Sequence, residues 1–367
     1  MSHPPVAGGL VANRRFPQLD TLRAFAVTCV LLWHFSPTLG GHPLGLGPLG
    51  VRLFFVLSGF LIAGILLRGR DVWRAGGTAG RREARRFYVR RALRILPAFY
   101  ALLLVSAVLN IEPFRKTFGW HATYLTNFLV AREGQWIGPA SHLWSLAVEE
   151  QFYLLWPWLV WTLPERWLPF FFSVACAMGP ASRAVLLVAT SNDITVHAFT
   201  LSCFDFFGTG SLLAWAWLRW GEADPKLRRL EKIALLLLPL ALVWPWLVGT
   251  DSFTTVILPM VQAVAFAGLV GACAHGIGGG VGLVLLWRPL LWLGQISYGV
   301  YLWHNHAPWL GSRLLARLNA DGRNHFESEI AQVVYYSCLT MIMAATSWYL
   351  LERPINRWKE TRMSAAL

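Results

Sequence analysis

Arg23 and His34 stand eleven residues apart inside the first long apolar run of the chain. An ionisable side chain within a membrane span is costly and marks a functional site by default. At about 100° per residue, this spacing returns His34 to within roughly 20° of the face that carries Arg23. The axial rise between them is roughly 16 Å. One inward stripe therefore holds a cation at one depth and an imidazole at another. A neutral imidazole can take a proton from a hydroxyl near pH 7, or act as a nucleophile. A lone histidine in a helix bundle is more often a hydrogen-bonded packing residue, and it is the arginine on the same face that argues for chemistry.

Three further segments could complete such a site. RFYVRRALRILPAFY (86–100) places Arg91 and Arg94 at i and i+3, on one helix face. Paired guanidinium groups donate forked hydrogen bonds suited to phosphate. On charge alone they read first as anchors at the membrane surface. HLWSLAVEEQFYLLWP (142–157) puts His142, Ser145 and Glu149 on one face, with Glu150 about 100° away. Two adjacent carboxylates in hydrocarbon are hard to explain as packing, so one is expected to pair with an intramembrane arginine or to orient His34. LGQISYGVYLWHNH (293–306) repeats Ser297, Tyr301 and His304 at helical spacing. There His304 could contact an acceptor hydroxyl, while His306 reads as an interfacial residue. Trp144 lies beside these polar faces and could stack on a sugar ring. Two weaker elements are Arg52, in GVRLFFVLSGFLI (50–62), and Asp205, which could pair with Arg183 or Arg52.

The elements that position these residues are membrane helices. The 367-residue chain is 56% hydrophobic and only 14% charged, against about 25% charged in soluble domains. Its apolar runs have the length of membrane helices, not of barrel strands. The expected fold is all-α, a polytopic bundle of ten spans near 19–36, 48–67, 94–110, 142–163, 167–189, 199–218, 233–249, 254–275, 289–310 and 330–351. The fifth, with Gly179 and Pro180, is expected to be kinked or broken, and 120–131 is too short to span. Arginines crowd the stretch 68–94, read as a cytoplasmic loop. Placing it inside puts both termini inside and gives a Lys/Arg ratio of roughly four to one across the membrane. The division is then a cytoplasmic tail 1–18, a transmembrane domain 19–351 and a cytoplasmic tail 352–367.

The net charge of +13 does not indicate nucleic acid, because the basic residues sit in loops between spans. The five cysteines all lie in apolar stretches, without metal-ligand spacing, and read as packing residues. No metal site is expected. The same intramembrane charges would also suit a transporter, as an ion or substrate path.

Together these segments resemble the acyltransferase-3 family of membrane O-acyltransferases. The resemblance runs through LDTLRAFAVTCVLLWHF, GVRLFFVLSGFLI, FYVRRALRILPAFY, HLWSLAVEEQFYLLWP, LGQISYGVYLWH and ERPINRW, in family order. It implies transfer of an acyl group, usually acetyl from acetyl-CoA, to a hydroxyl of a glycan or glycosylated metabolite, at the bacterial inner membrane. The family's essential His matches His34, and its accompanying Arg matches Arg23. Its Arg-x-x-Arg pair matches Arg91 and Arg94, and its glutamate best matches Glu149. His34 and Glu149 are thus the expected catalytic pair, Arg23, Arg91 and Arg94 the acyl-CoA contacts, and His304, Tyr301, Trp144 and Ser145 the acceptor contacts. No cofactor beyond the acyl-CoA substrate is implied. Arg52 departs from the family, many of whose members carry an acid there. The hydrolase-like domain that follows in some members is not expected in this chain.

Overall fold

The computed structural model describes residues 16–36, 38, 45–111, 113–248, 252–318, 326 and 328–358. Most of the two expected tails, 1–15 and 359–367, lies outside them. Among the described residues all regular structure is helical: α1 (Pro17–Phe35), α2 (Leu46–Arg74), α3 (Gly77–Val108), α4 (Phe114–Ala122), α5 (Thr126–Glu133), α6 (Leu143–Thr162), α7 (Leu168–Thr190), α8 (Asp193–Ala198) and α9 (Phe204–Trp220). There follow α10 (Pro225–Leu236), α11 (Leu238–Val248), α12 (Ser252–Val256), α13 (Leu258–His275), α14 (Gly279–Leu285), α15 (Arg288–Trp303), α16 (His306–Leu318) and α17 (Glu329–Ser347). Five helical stretches are long and apolar enough to cross a membrane, and the pair α14 and α15, bent by 47°, would make a sixth. Large apolar side chains such as Leu104, Leu154, Val188 and Leu350 stay exposed, as contact with lipid requires. The chain is a multi-pass membrane protein.

Every segment expected to span is helical, but several are interrupted. The breaks follow the prolines. A proline has no N–H to donate, and its ring clashes with the carbonyl four residues back. Pro239 stands just after the break at Leu237, Pro259 after Ile257, and Pro289 after Trp287. Pro308 stands just after the turn at His304 and Asn305, which divides the expected span 289–310. The expected kink in 167–189 takes no break: α7 is one helix with Pro180 inside it.

The arginine-rich stretch 68–94 is also not a loop. Arginine, alanine and glutamate favour helix, so α2 runs on to Arg74 and α3 begins at Gly77. Gly76 (φ 71°) and Gly77 (φ 60°) supply the left-handed turn between them. Arg70 donates to the carbonyl of Leu163, and Arg74 to that of Trp161 at 3.3 Å. Two of the supposed surface cations therefore cap the C-terminal end of α6, where the helix dipole favours positive charge.

The central helix is α2, which packs against α1, α3, α6, α9 and α13. Its closest neighbour is α9. A Cβ on Gly59 would lie 2.6 Å from the carbonyl oxygen of Phe207, and one on Gly210 would lie 2.3 Å from that of Val56. The missing side chains let the two backbones touch, which is the usual device of membrane helix pairs. α1 is held between α2 and α15. Arg23 and His34 consequently stand on a helix clamped from both sides.

Candidate active site

Two cavities lie along α1 and α2. The smaller is about 100 Å³ and holds the cations. Arg23 reaches it from α1, Arg91 and Arg94 from α3, Ser58 from α2, and Glu149, Glu150 and Tyr153 from α6. Asp20, one turn before Arg23, accepts from its Nη1 at 2.6 Å and so aims the guanidinium. The Arg91 guanidinium lies 5.4 Å from the centre of the Tyr153 ring, within cation–π range. Glu149 accepts from the hydroxyls of Ser58 and Tyr153. With Asp20 counted, three cations stand beside three carboxylates, so the charges in this costly region have partners.

The larger cavity, about 650 Å³, holds His34. Its walls include Trp33 and His34 from α1, Arg52 from α2, Trp144 from α6, His197 from α8, and Asn305 from the turn after α15. The His34 ring is accessible, and its Nδ1 sits 2.8 Å from the carbonyl oxygen of Val30, one turn back. A carbonyl can only accept, so Nδ1 carries the hydrogen and Nε2 keeps its lone pair. No hydrogen bond among the described residues occupies Nε2. Such a nitrogen can take a proton or attack an acyl carbon. The tautomer is set by the backbone of the same helix, not by a carboxylate.

The two cavities share three walls: Val51, Phe55 and Tyr301. Val51 and Phe55 are one turn apart on α2, and Tyr301 comes from α15. The Tyr301 hydroxyl is tied to Ser145 Oγ at 2.5 Å and donates to the carbonyl of His142 at 3.1 Å. The Phe55 ring packs on Phe207 at 4.9 Å between centroids. These contacts fix the shared wall, or neck, that stands between the arginine chamber and the histidine cavity.

The structure divides the expected residues between the two cavities. Arg23, Arg91, Arg94 and Glu149 line the smaller one, Trp144 the larger, and Tyr301 both. Glu149, however, makes no hydrogen bond to His34 among the described residues. Its oxygen is taken by Ser58 and Tyr153 in the other chamber, so it does not orient the imidazole by contact. Ser145 lines the arginine chamber, where its hydroxyl holds Tyr301. His304 is fully buried and lines neither cavity. Its ring is wedged behind His34, at 4.6 Å, and against His142, at 4.8 Å. The His304 backbone is still helical, with its N–H bonded to the carbonyl of Val300 at 3.1 Å, so the ring stays on the Tyr301 side of the helix, while Asn305 reaches the cavity wall. His306 is not interfacial either: it is buried and bonded to Ser106 Oγ at 2.8 Å. Asp205 pairs with Arg183 through both oxygens, at 3.2 and 2.6 Å, and not with Arg52.

Other members of the site went unnoticed. Tyr153 is at i+4 from Glu149 and could have been found by helical spacing. Val51 and Phe55 look like any apolar residues of a span. His197 reaches Arg52 from a short helix 145 residues further along the chain, a pairing that no local pattern announces.

The chain is similar to known proteins along almost its whole length. The family described as an acyltransferase domain, acyltransferase-3, matches residues 16–352. The chain belongs to that family. Among similar proteins are a Bacillus subtilis chain named as a candidate peptidoglycan O-acetyltransferase, YrhL, 29% identical over 94% of this chain and 55% of its own length. The peptidoglycan O-acetyltransferase OatA of Listeria monocytogenes is 26% identical over 94% of this chain and 56% of its own. The O-acetyltransferase OatA of Staphylococcus aureus is 27% identical over 95% and 58%. The chain thus spans a little over half the length of the curated relatives it matches. No solved structure matches it. Within this acyltransferase-3 chain, the match takes in α1, both cavities and the neck.

Proposed function

We propose that this acyltransferase-3 chain moves an acyl group, acetyl in the first instance, from acyl-CoA to a hydroxyl of a glycan or glycosylated metabolite. The observation that carries the reading is the shared neck. Three arginines and a histidine with a free lone pair line two cavities that have Val51, Phe55 and Tyr301 as common walls. The donor's phosphates would meet Arg91 and Arg94 at the mouth of the chamber. The thioester end of the donor would reach into the chamber beside Arg23 and Ser58. Glu149, fixed by Ser58 and Tyr153, then serves the donor side by balancing and positioning Arg91.

At the neck, two routes use the same nitrogen. In one, Nε2 of His34 takes the acceptor's hydroxyl proton as the oxygen attacks the thioester carbonyl. The C–S bond breaks, and the imidazolium returns the proton to the departing thiolate. In the other, Nε2 attacks the carbonyl itself, the thiol leaves, and the acceptor hydroxyl then displaces the imidazole from the acyl group. The second route gives ping-pong kinetics and a labelled protein. If both termini lie inside, as the distribution of Lys and Arg favours, the arginine chamber would face the cytoplasm and the His34 cavity the outside. An outward-facing glycan such as the peptidoglycan named for the relatives suits that side.

The test is label transfer from radiolabelled acetyl-CoA by the purified protein. His34→Ala should lose transfer by about 10²–10⁴-fold, and Arg94→Ala should raise the KM for the donor, both with the fold retained. Full transfer by a folded His34→Ala protein would refute the reading. Uptake of a solute without acyl-CoA would point instead to the transporter alternative.

A further inference from the structure

We infer that the larger cavity selects an acceptor that carries a negative charge, and that Arg52 binds it. The inference takes the occupant to be the acceptor, as the transfer reading does. Arg52 lines this cavity together with His34. Among the described residues, its two hydrogen-bond partners are neutral. One is the side-chain oxygen of Gln262. The Gln262 amide nitrogen donates to the carbonyl of Ala241 at 3.1 Å, which fixes the oxygen towards Arg52. The other is Nε2 of His197, at 3.2 Å. His197 Nδ1 lies 2.7 Å from the carbonyl of Asp193 and must donate to it, so Nε2 is a lone-pair acceptor on an uncharged ring.

The nearest acid does not cancel this charge. Asp205 is fully buried and gives both oxygens to Arg183. Arg183 spends its other donors on the carbonyls of Ser202, at 2.5 Å, and Val256, at 3.0 Å. The group Arg52, Arg183 and Asp205 therefore keeps one net positive charge. Asp193 also lines the cavity, but it is exposed and its carboxylate is turned to Thr255, at 3.5 Å. A guanidinium has five donors, and two are engaged here. A cation held in a membrane protein by neutral groups alone is costly unless something supplies the opposite charge. The cavity wall offers that role to its ligand. A carboxylate or a phosphate on the acceptor, next to the hydroxyl presented to His34, meets the requirement with forked hydrogen bonds.

The experiment compares acceptors that differ only in charge. The disaccharide of N-acetylglucosamine and N-acetylmuramic acid is tested beside its methyl ester, and chitobiose 1-phosphate beside chitobiose. Equilibrium binding of each radiolabelled sugar and the KM for acetyl transfer are both measured. A charge-assisted pair is worth roughly ten- to hundredfold in affinity. The wild-type protein should prefer the acid over its ester, or the phosphate over the plain sugar, by at least about tenfold. Which pair shows the preference tells a carboxylate from a phosphate. Arg52→Gln should bring the two KM values of that pair together, and Arg52→Lys should keep part of the difference. Equal affinities in the wild type would overturn the proposal, and so would a preference that survives Arg52→Gln. The wild-type comparison decides even if neither variant folds. Binding without transfer of any acetyl group would count against the transfer reading alone.

Discussion

The neck between the cavities should set the length of the acyl group that passes, and Val51 is the wall that can be pared back. Tyr301 is tied by Ser145 and His142, and Phe55 is seated on Phe207, so trimming either would release a ring. Val51 is buried and makes no polar contact. Val51→Ala removes two methyl groups, at a stability cost of about 2 kcal/mol. A butyryl group exceeds acetyl by two methylenes, each worth about 0.8 kcal/mol when buried. If the space opened is the space the longer chain needs, the gain is about 1.6 kcal/mol, or roughly 15-fold in kcat/KM. The assay is competition between acetyl-, propionyl- and butyryl-CoA for one acceptor, in detergent or nanodiscs. The acetyl-to-butyryl ratio should fall by about 15-fold in Val51→Ala, with propionyl in between. A folded variant with the wild-type ratio would refute the argument, because the acyl group would then not pass this constriction.

Three other outcomes follow from the packing. His304 stands behind His34 and not in the cavity, so His304→Leu should lower kcat and leave the acceptor KM nearly unchanged. A rise in KM alone would instead return His304 to the acceptor site. Asp205→Asn strands the Arg183 guanidinium in the interior and should cost about 3–5 kcal/mol, read as a fall in thermal midpoint in detergent. Replacing both partners, in Asp205→Asn with Arg183→Met, should recover part of the loss. Gly294→Ala would set a Cβ 1.9 Å from the carbonyl oxygen of Asp20 and force α15 away from α1. We expect a loss of about 1–3 kcal/mol in stability and weaker donor binding, since Asp20 aims Arg23. An unchanged midpoint and donor KM would show that the two helices can separate freely there.

The sequence carried the membrane bundle and most of the arginine chamber, because those depend on local rules. Apolar runs of spanning length and charges at helical spacing can be read one segment at a time. Arg91 and Arg94 share a face wherever the helix goes. Misreadings arose where the outcome depends on another segment. His304 lies where helical spacing puts it, but His34 and His142 from other segments close over its ring. Glu149 looked like a partner for His34 because both are polar and intramembrane. Its donors came instead from Tyr153, one turn along, and Ser58 on α2. The 68–94 stretch was misread for a different reason. Positive charge reports the side of the membrane but says nothing against helix, and its arginines extend α2 and α3 beyond the apolar core.

The intramembrane charges also differ in how each is met, and that difference separates scaffold from site. Arg183 has both oxygens of a buried aspartate and two backbone carbonyls, so every strong demand is met from within the protein. Such a group can hold α7 against α9, but it has little left for a ligand. Arg23 has one carboxylate, Asp20, that is still partly open to water. Among the described residues Arg52 has an amide oxygen and a neutral imidazole. His34 commits Nδ1 to a carbonyl and keeps Nε2. The less completely a polar group is satisfied by its own fold, the more of its interaction energy remains for whatever enters the cavity. By that criterion the working groups are Arg52 and His34 on one side of the neck and the chamber arginines on the other, and the Arg183–Asp205 pair belongs to the frame that holds them apart.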